Sequence, residues 1–118
     1  MANEFKPNEG KSVTKQDALD WIAKYDRDHR KEKDKDTKSV FYGREIIEKL
    51  LRQDGVAGIS FFLASKYSDY AKKDTVQLVL VGTKEDGTLL WPTDGAGKDG
   101  DGGTAANAGM TCPPYCPK

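Results

Sequence analysis

The chain has 118 residues, 36% of them apolar and 32% charged, enough for about one domain with part of its length outside the core. Its 19 Lys plus Arg balance 19 Asp plus Glu, so the basic surplus that neutralises phosphates is missing and nucleic acid is excluded as an expected partner. No apolar run reaches the roughly 18 residues of a membrane span, and Met-Ala-Asn-Glu-Phe-Lys-Pro is not a basic region followed by an apolar one. The expected setting is therefore the cytoplasm, with signal-independent export as the other route and no membrane partner.

Composition divides the chain into a flexible N-terminus (1–11), a folded segment (12–92) and a Gly-rich tail (93–118) that holds six of the twelve glycines. A first helix opens at Thr14, a candidate N-cap with Asp17 three residues on. Ala18, Trp21, Ile22 and Tyr25 follow at i, i+3, i+4 and i+7, an apolar stripe of helical period that runs out near Arg30. His29, the only histidine, sits at that frayed end; a structural role against the helix C-terminal dipole is expected of it, since neither a partner nor a pocket for a general base is visible. Lys31-Glu32-Lys33-Asp34-Lys35-Asp36-Thr37-Lys38 alternates in sign with no apolar residue, which reads as a solvated linker or an exposed extension of the helix.

Ser39-Val40-Phe41-Tyr42-Gly43 leads into a second helix over Arg44–Gln53, where Ile46, Ile47, Leu50 and Leu51 make a broad apolar face and Asp54-Gly55 ends it. Three strands follow. The first covers about Ala57–Ser65 by alternation, and after a polar connection the second covers Thr75–Val81, apolar on both faces. Asp86-Gly87 is a hairpin turn, and Thr88–Trp91 returns as the third strand until Pro92. The expected fold class is α+β: two N-terminal helices packed on a three-stranded antiparallel meander, with a Gly-rich C-terminal tail. Its core would comprise Leu19, Ile22, Ile46, Ile47, Leu50, Leu51, Ile59, Phe61, Leu63, Leu78, Leu80 and Trp91. A two-helix layer covers one sheet face only, so Phe62, Val79 and Val81 on the other face are expected to meet a protein partner, the tail or a second copy.

The tail ends Thr111-Cys112-Pro113-Pro114-Tyr115-Cys116-Pro117-Lys118 and carries both cysteines. Three residues separate them, so they form a local disulfide or thiol pair, an exposed interaction tip, or a thiol redox or metal-binding site. The spacing is not Cys-x-x-Cys, the two prolines oppose a helix, and two cysteines with one distant histidine fall short of four zinc ligands. Asp94, Asp99 and Asp101 stand among glycines, but Met110 falls where a calcium loop starting at Asp99 needs a glutamate. Gly97-Lys98 lacks the remainder of a P-loop. Gly102-Gly103 suits the leader of an exported, modified peptide, although Gly97 and Gly100 occupy places where such leaders carry large apolar residues. Ordering glycine at this density is costly, so Thr93–Met110 is expected to be mobile unless the tip docks. Tyr115, amphipathic and held by two prolines, is the expected anchor, with Cys112 and Cys116 beside it.

Ser39-Val40-Phe41-Tyr42-Gly43-Arg44-Glu45, Gly55-Val56-Ala57-Gly58-Ile59, Leu78-Val79-Leu80-Val81-Gly82 and the Cys-Pro-Pro-Tyr-Cys end together resemble a group of small uncharacterised bacterial proteins. These share a Phe-containing helix start, a Gly-x-x-Gly-Ile strand entry, a Leu-Val-Leu-Val-Gly strand and a Cys-Pro-Pro-x-Cys terminus. The resemblance spans Ser39–Lys118 and carries over no activity, cofactor or catalytic residue. The expectation is a non-enzymatic protein-binding or self-assembly module with no cofactor and no metal.

Overall fold

A computed structural model describes residues 4–92 and 105–118. Helix α1 spans Lys15–His29, and the Thr14 hydroxyl accepts the Asp17 backbone N–H at 3.0 Å, the expected cap. The stripe forms, yet α1 contributes no buried residue. Trp21 is 59% exposed, and Leu19 and Ile22, expected in the core, are exposed as well. The helix does not lie on the sheet because the charged stretch after it is a built structure and not a linker. Arg30 is buried: its Nε donates to the Asp36 carbonyl at 2.9 Å and its Nη2 to the Lys33 carbonyl at 2.6 Å, while Nη1 lies 3.1 Å from the Asp26 carboxylate. One planar guanidinium with five fixed donors can close such a loop; alternating surface charges alone cannot.

The loop is also moored to the sheet. Thr37 is buried and its hydroxyl donates to the Val76 carbonyl at 2.7 Å. Lys73 bonds the Asp36 carboxylate at 2.7 Å and the Glu32 carboxylate. The Lys73 ammonium, with backbone N–H help from Glu32, holds the Asp36 carboxyl below its ordinary value, and the two carboxylates in turn raise Lys73.

Strand β1 (Ser39–Phe41) occupies what the sequence suggested was only a lead-in. Helix α2 is Arg44–Leu51, two residues shorter than expected. Strands β2 (Val56–Ser68) and β3 (Lys73–Lys84) form one long antiparallel hairpin. Phe61 lies opposite Leu80, Leu63 opposite Leu78 and Phe62 opposite Val79, with an irregularity between Val56 and Gly58. Side chains directly opposite share a face. Ile59, Phe61 and Leu63 therefore stand with Leu78 and Leu80, while Ser60, Phe62 and Ala64 stand with Gln77, Val79 and Val81. Helix α2 lays Leu50 on the first of these faces. Leu50 and Leu80 are fully buried, each contributing about 1.5–3 kcal/mol, and Ile46, Ile59, Leu78 and Tyr42 pack around them.

Fold class is α+β, with two helices and a three-stranded antiparallel sheet of order β2-β3-β4. The third strand, however, is Ala105–Ala106 (β4), paired with Val81 and Leu80, and not Thr88–Trp91. The turn at Asp86-Gly87 forms as read: Gly87 has φ +90° and Thr88 N–H donates to the Asp86 carboxylate at 3.0 Å, which lowers the Asp86 pKa. The return then makes one bridge, Thr83 with Leu89, and a bond from Leu90 N–H to the Gly82 carbonyl, before the chain leaves the edge. Trp91 stacks on Phe62, ring centroids 5.9 Å apart, and stays exposed, so it is not a core residue. Beyond Pro92, strand β5 (Met110–Cys112) pairs with β1 as a separate two-stranded sheet. The boundary drawn at Pro92 is thus not a boundary of packing.

Candidate interaction surface

Helix α2 has eight residues and rises about 12 Å; β2 has 13 and runs at most about 40 Å. One helix of that length covers only part of the strand. Ile59 is half-buried beneath it, but farther along the same face Leu63 is 81% exposed, and Phe61 and Tyr67 are 57% exposed each. Phe61 and Leu63, expected in the core, are surface residues for this reason. The disparity in length is the signal that alternation alone missed.

The opposite face behaves differently from its expected open state. Val81 is fully buried within the chain and Val79 is half-buried, so neither offers a free surface. Thr75, Gln77 and Thr83 on that face are buried too, and the Thr83 hydroxyl lies 2.6 Å from that of Ser60. Of the occupants expected for this face, a partner, the tail or a second copy, none has to be external for Val79 and Val81, since the chain covers them itself. Of the three residues expected to be open there, only Phe62, 40% exposed under Trp91, remains available.

Among the described residues β2 is also an edge strand, since the sheet has β3 on one side of it and no strand on the other. Unpaired N–H and C=O groups along such an edge are a template for another strand. Here the edge coincides with the exposed Phe61, Phe62 and Leu63, so backbone donors and apolar side chains stand in one place. The carboxylates, thiols and imidazole that chemistry would need are not assembled on it.

The C-terminus forms a second, smaller surface. Cys112 and Cys116 are joined in a disulfide, Cys112 buried and Cys116 exposed. What docks this segment on the rest of the chain is backbone: the β1–β5 register, extended by Lys38 N–H donating to the Cys112 carbonyl at 2.7 Å. Within the chain Tyr115 is not the anchor. Its side chain is 59% exposed and borders a shallow hollow of about 500 Å³ with Phe41, Met110, Pro114 and Pro117. Ahead of β5, Asn107 and the Tyr42 phenol both donate to the Leu78 carbonyl, at 2.9 and 2.6 Å, and burial raises the Tyr42 pKa.

A further cavity of about 330 Å³ lies between Ile22, the Arg30 loop and the disulfide. Its cations are engaged by the chain's own acceptors: Lys33 bonds the Asp26 and Arg30 carbonyls, and Lys38 lies 3.7 Å from Asp26. His29 faces Tyr25, ring centroids 5.1 Å apart, at the end of α1. Among the described residues no group of three or more His, Cys, Asp and Glu side chains is placed to hold a metal ion, and no helix is long and apolar enough to cross a membrane. Asp94, Asp99, Asp101 and the Gly102-Gly103 pair lie outside the described residues. Compared with protein-family models, curated proteins and solved structures, the chain matches none.

Proposed function

We propose that this protein is a non-enzymatic protein-binding or self-assembly module whose contact surface is the outer edge of β2 with Phe61, Leu63 and Tyr67. The observation that carries this reading is the coincidence of an unpaired edge with exposed large apolar side chains on the same strand. Strand addition draws affinity from main-chain hydrogen bonds and specificity from alternate side chains, and this surface offers both. Phe62 contributes from the other face, and Tyr115 with Phe41 provides a second apolar spot. The bonded Cys112–Cys116 pair favours an oxidising compartment, and with it the export route over the cytoplasm.

A photo-crosslinking residue placed at Leu63 in the native cell tests the reading. Protein adducts well above those from the same probe at Asp17, an exposed α1 position, are expected. Equal yields at the two positions would sink it.

A further inference from the structure

The β2 edge carries a symmetry of its own. Natural edges are protected by charges, prolines or bulges. In β2 the irregularity lies between Val56 and Gly58, and Lys66 is the strand's only charged residue. Between them Ile59–Ser65 has no charge and no proline. Its midpoint is Phe62, with Gly58, where regular pairing resumes after the irregularity, and the charge Lys66 four positions to either side.

We propose that the occupant of this edge is a second copy of the chain, paired β2 to β2 antiparallel about a two-fold axis at Phe62, so that two three-stranded sheets become one of six. This rests on the protein-binding reading and names its partner. In that register Phe61 of each copy lies opposite Leu63 of the other, Ile59 opposite Ser65, and Lys66 opposite Gly58, so the protected position meets the small, irregular one and no like charges oppose. An antiparallel neighbour related by this axis keeps its faces, so both α2 helices cover the same side and the four exposed Phe61 and Leu63 side chains meet between them. An unrelated strand has no reason to match a protection pattern centred on β2; the strand itself matches it. Isologous contact of this kind closes at two copies and leaves no growing fibre.

The area is in keeping. Large aromatic side chains present about 150–250 Å² each; at the observed exposures of Phe61, Phe62, Leu63 and Tyr67 the two copies together bury on the order of 1,000 Å² with their backbones. That is the lower bound of a specific interface, as a weak, reversible dimer requires.

Light scattering of the purified chain over a concentration series reaching about 1 mM should show the 13.0 kDa mass doubling. Leu63→Lys should raise the dissociation constant about tenfold or more, while far-UV dichroism stays that of the wild type, since Leu63 is 81% exposed. Phe62→Cys should trap a disulfide-linked dimer that the wild type, its own cysteines already bonded, does not form. A chain that stays monomeric through the series overturns the inference. So does a dimer that survives Leu63→Lys or leaves Phe62→Cys untrapped. In-cell adducts at Leu63 with other proteins, from a chain that is monomeric when pure, would overturn the second copy while the binding reading stands; no adducts at all would remove both.

Discussion

Gly109→Ala probes how the C-terminal segment is held. Gly109 lies outside the left-handed region, so its backbone does not require glycine. Space does: a Cβ there would stand 2.5 Å from Val40 Cγ1, 2.7 Å from Tyr42 Cε1 and 2.8 Å from the Phe41 carbonyl. Two of the three partners are fixed, one as backbone and one as a phenol bonded to Leu78, so β5 must move away from β1. Overpacking of this kind costs about 1–3 kcal/mol, and taking about 2 kcal/mol, the thermal midpoint should fall by roughly 10 °C. Hydrogen exchange reads the place of the damage. The Lys38 amide, which donates to the Cys112 carbonyl, should lose protection before the amides of the β2–β3 hairpin. Gly58→Ala is the control, with nothing within 4 Å of its Cβ, and should stay within about 0.5 kcal/mol of wild type. A Gly109→Ala protein that melts and exchanges like wild type would refute the tight approach of the tail to β1.

Three further outcomes follow from named contacts. Arg30→Ala leaves the Asp36 and Lys33 carbonyls and the Asp26 carboxylate without their guanidinium; a loss of about 3 kcal/mol is expected, with proteolytic nicking appearing within residues 31–38. Asp36, its carboxyl lowered below 3.8 by Lys73, contributes stability that is fully present above that value and is lost as pH falls through the lower folded one. Urea midpoints should therefore decline below about pH 4, and in Lys73→Met that part of the decline should be absent. Tyr42→Phe, which removes one of two donors to the Leu78 carbonyl, should cost about 1 kcal/mol and delete from the phenolate absorbance titration a tyrosine ionising above 10.0.

Local signals were legible where the physics is local. The Thr14 cap, the Asp86-Gly87 turn and both long strands stand where capping, turn chemistry and alternation put them. What failed was allocation of surfaces between elements. The stripe of α1 has helical period, but period does not say that a helix reaches the sheet; Arg30, drawing the chain back onto carbonyls six and three residues on, redirects it. Charge alternation over Lys31–Lys38 hides that role, because a buried arginine looks in sequence like its solvated neighbours. Thr88–Trp91 reads as a strand equal to the others, whereas Ala105–Ala106, two small residues after glycines, carries no strand signal and takes the place from long range. Of the site, Phe62 and Tyr115 were named as contact residues and remain exposed. Phe61 and Leu63 read as core residues because alternation along a strand carries no information on the length of the helix above it.

The two edges of the one sheet are treated oppositely, and this asymmetry bears on the function. On the β3 edge the chain closes the ladder with whatever reaches it: a bridge at Leu89, a bond from Leu90, then Ala105–Ala106 brought back from beyond the Gly-rich stretch. That edge is covered although its strand is only two residues long, and Leu80 is fully buried beside it. The β2 edge is more than twice as long as those pieces together, bears the larger apolar side chains, and among the described residues is closed by no strand. Lys66 and the bulge restrain its two ends and leave its middle clear. The chain brings two alanines from its tail to one edge and, among the described residues, brings no strand to the other, which is the opening the proposed second copy would fill.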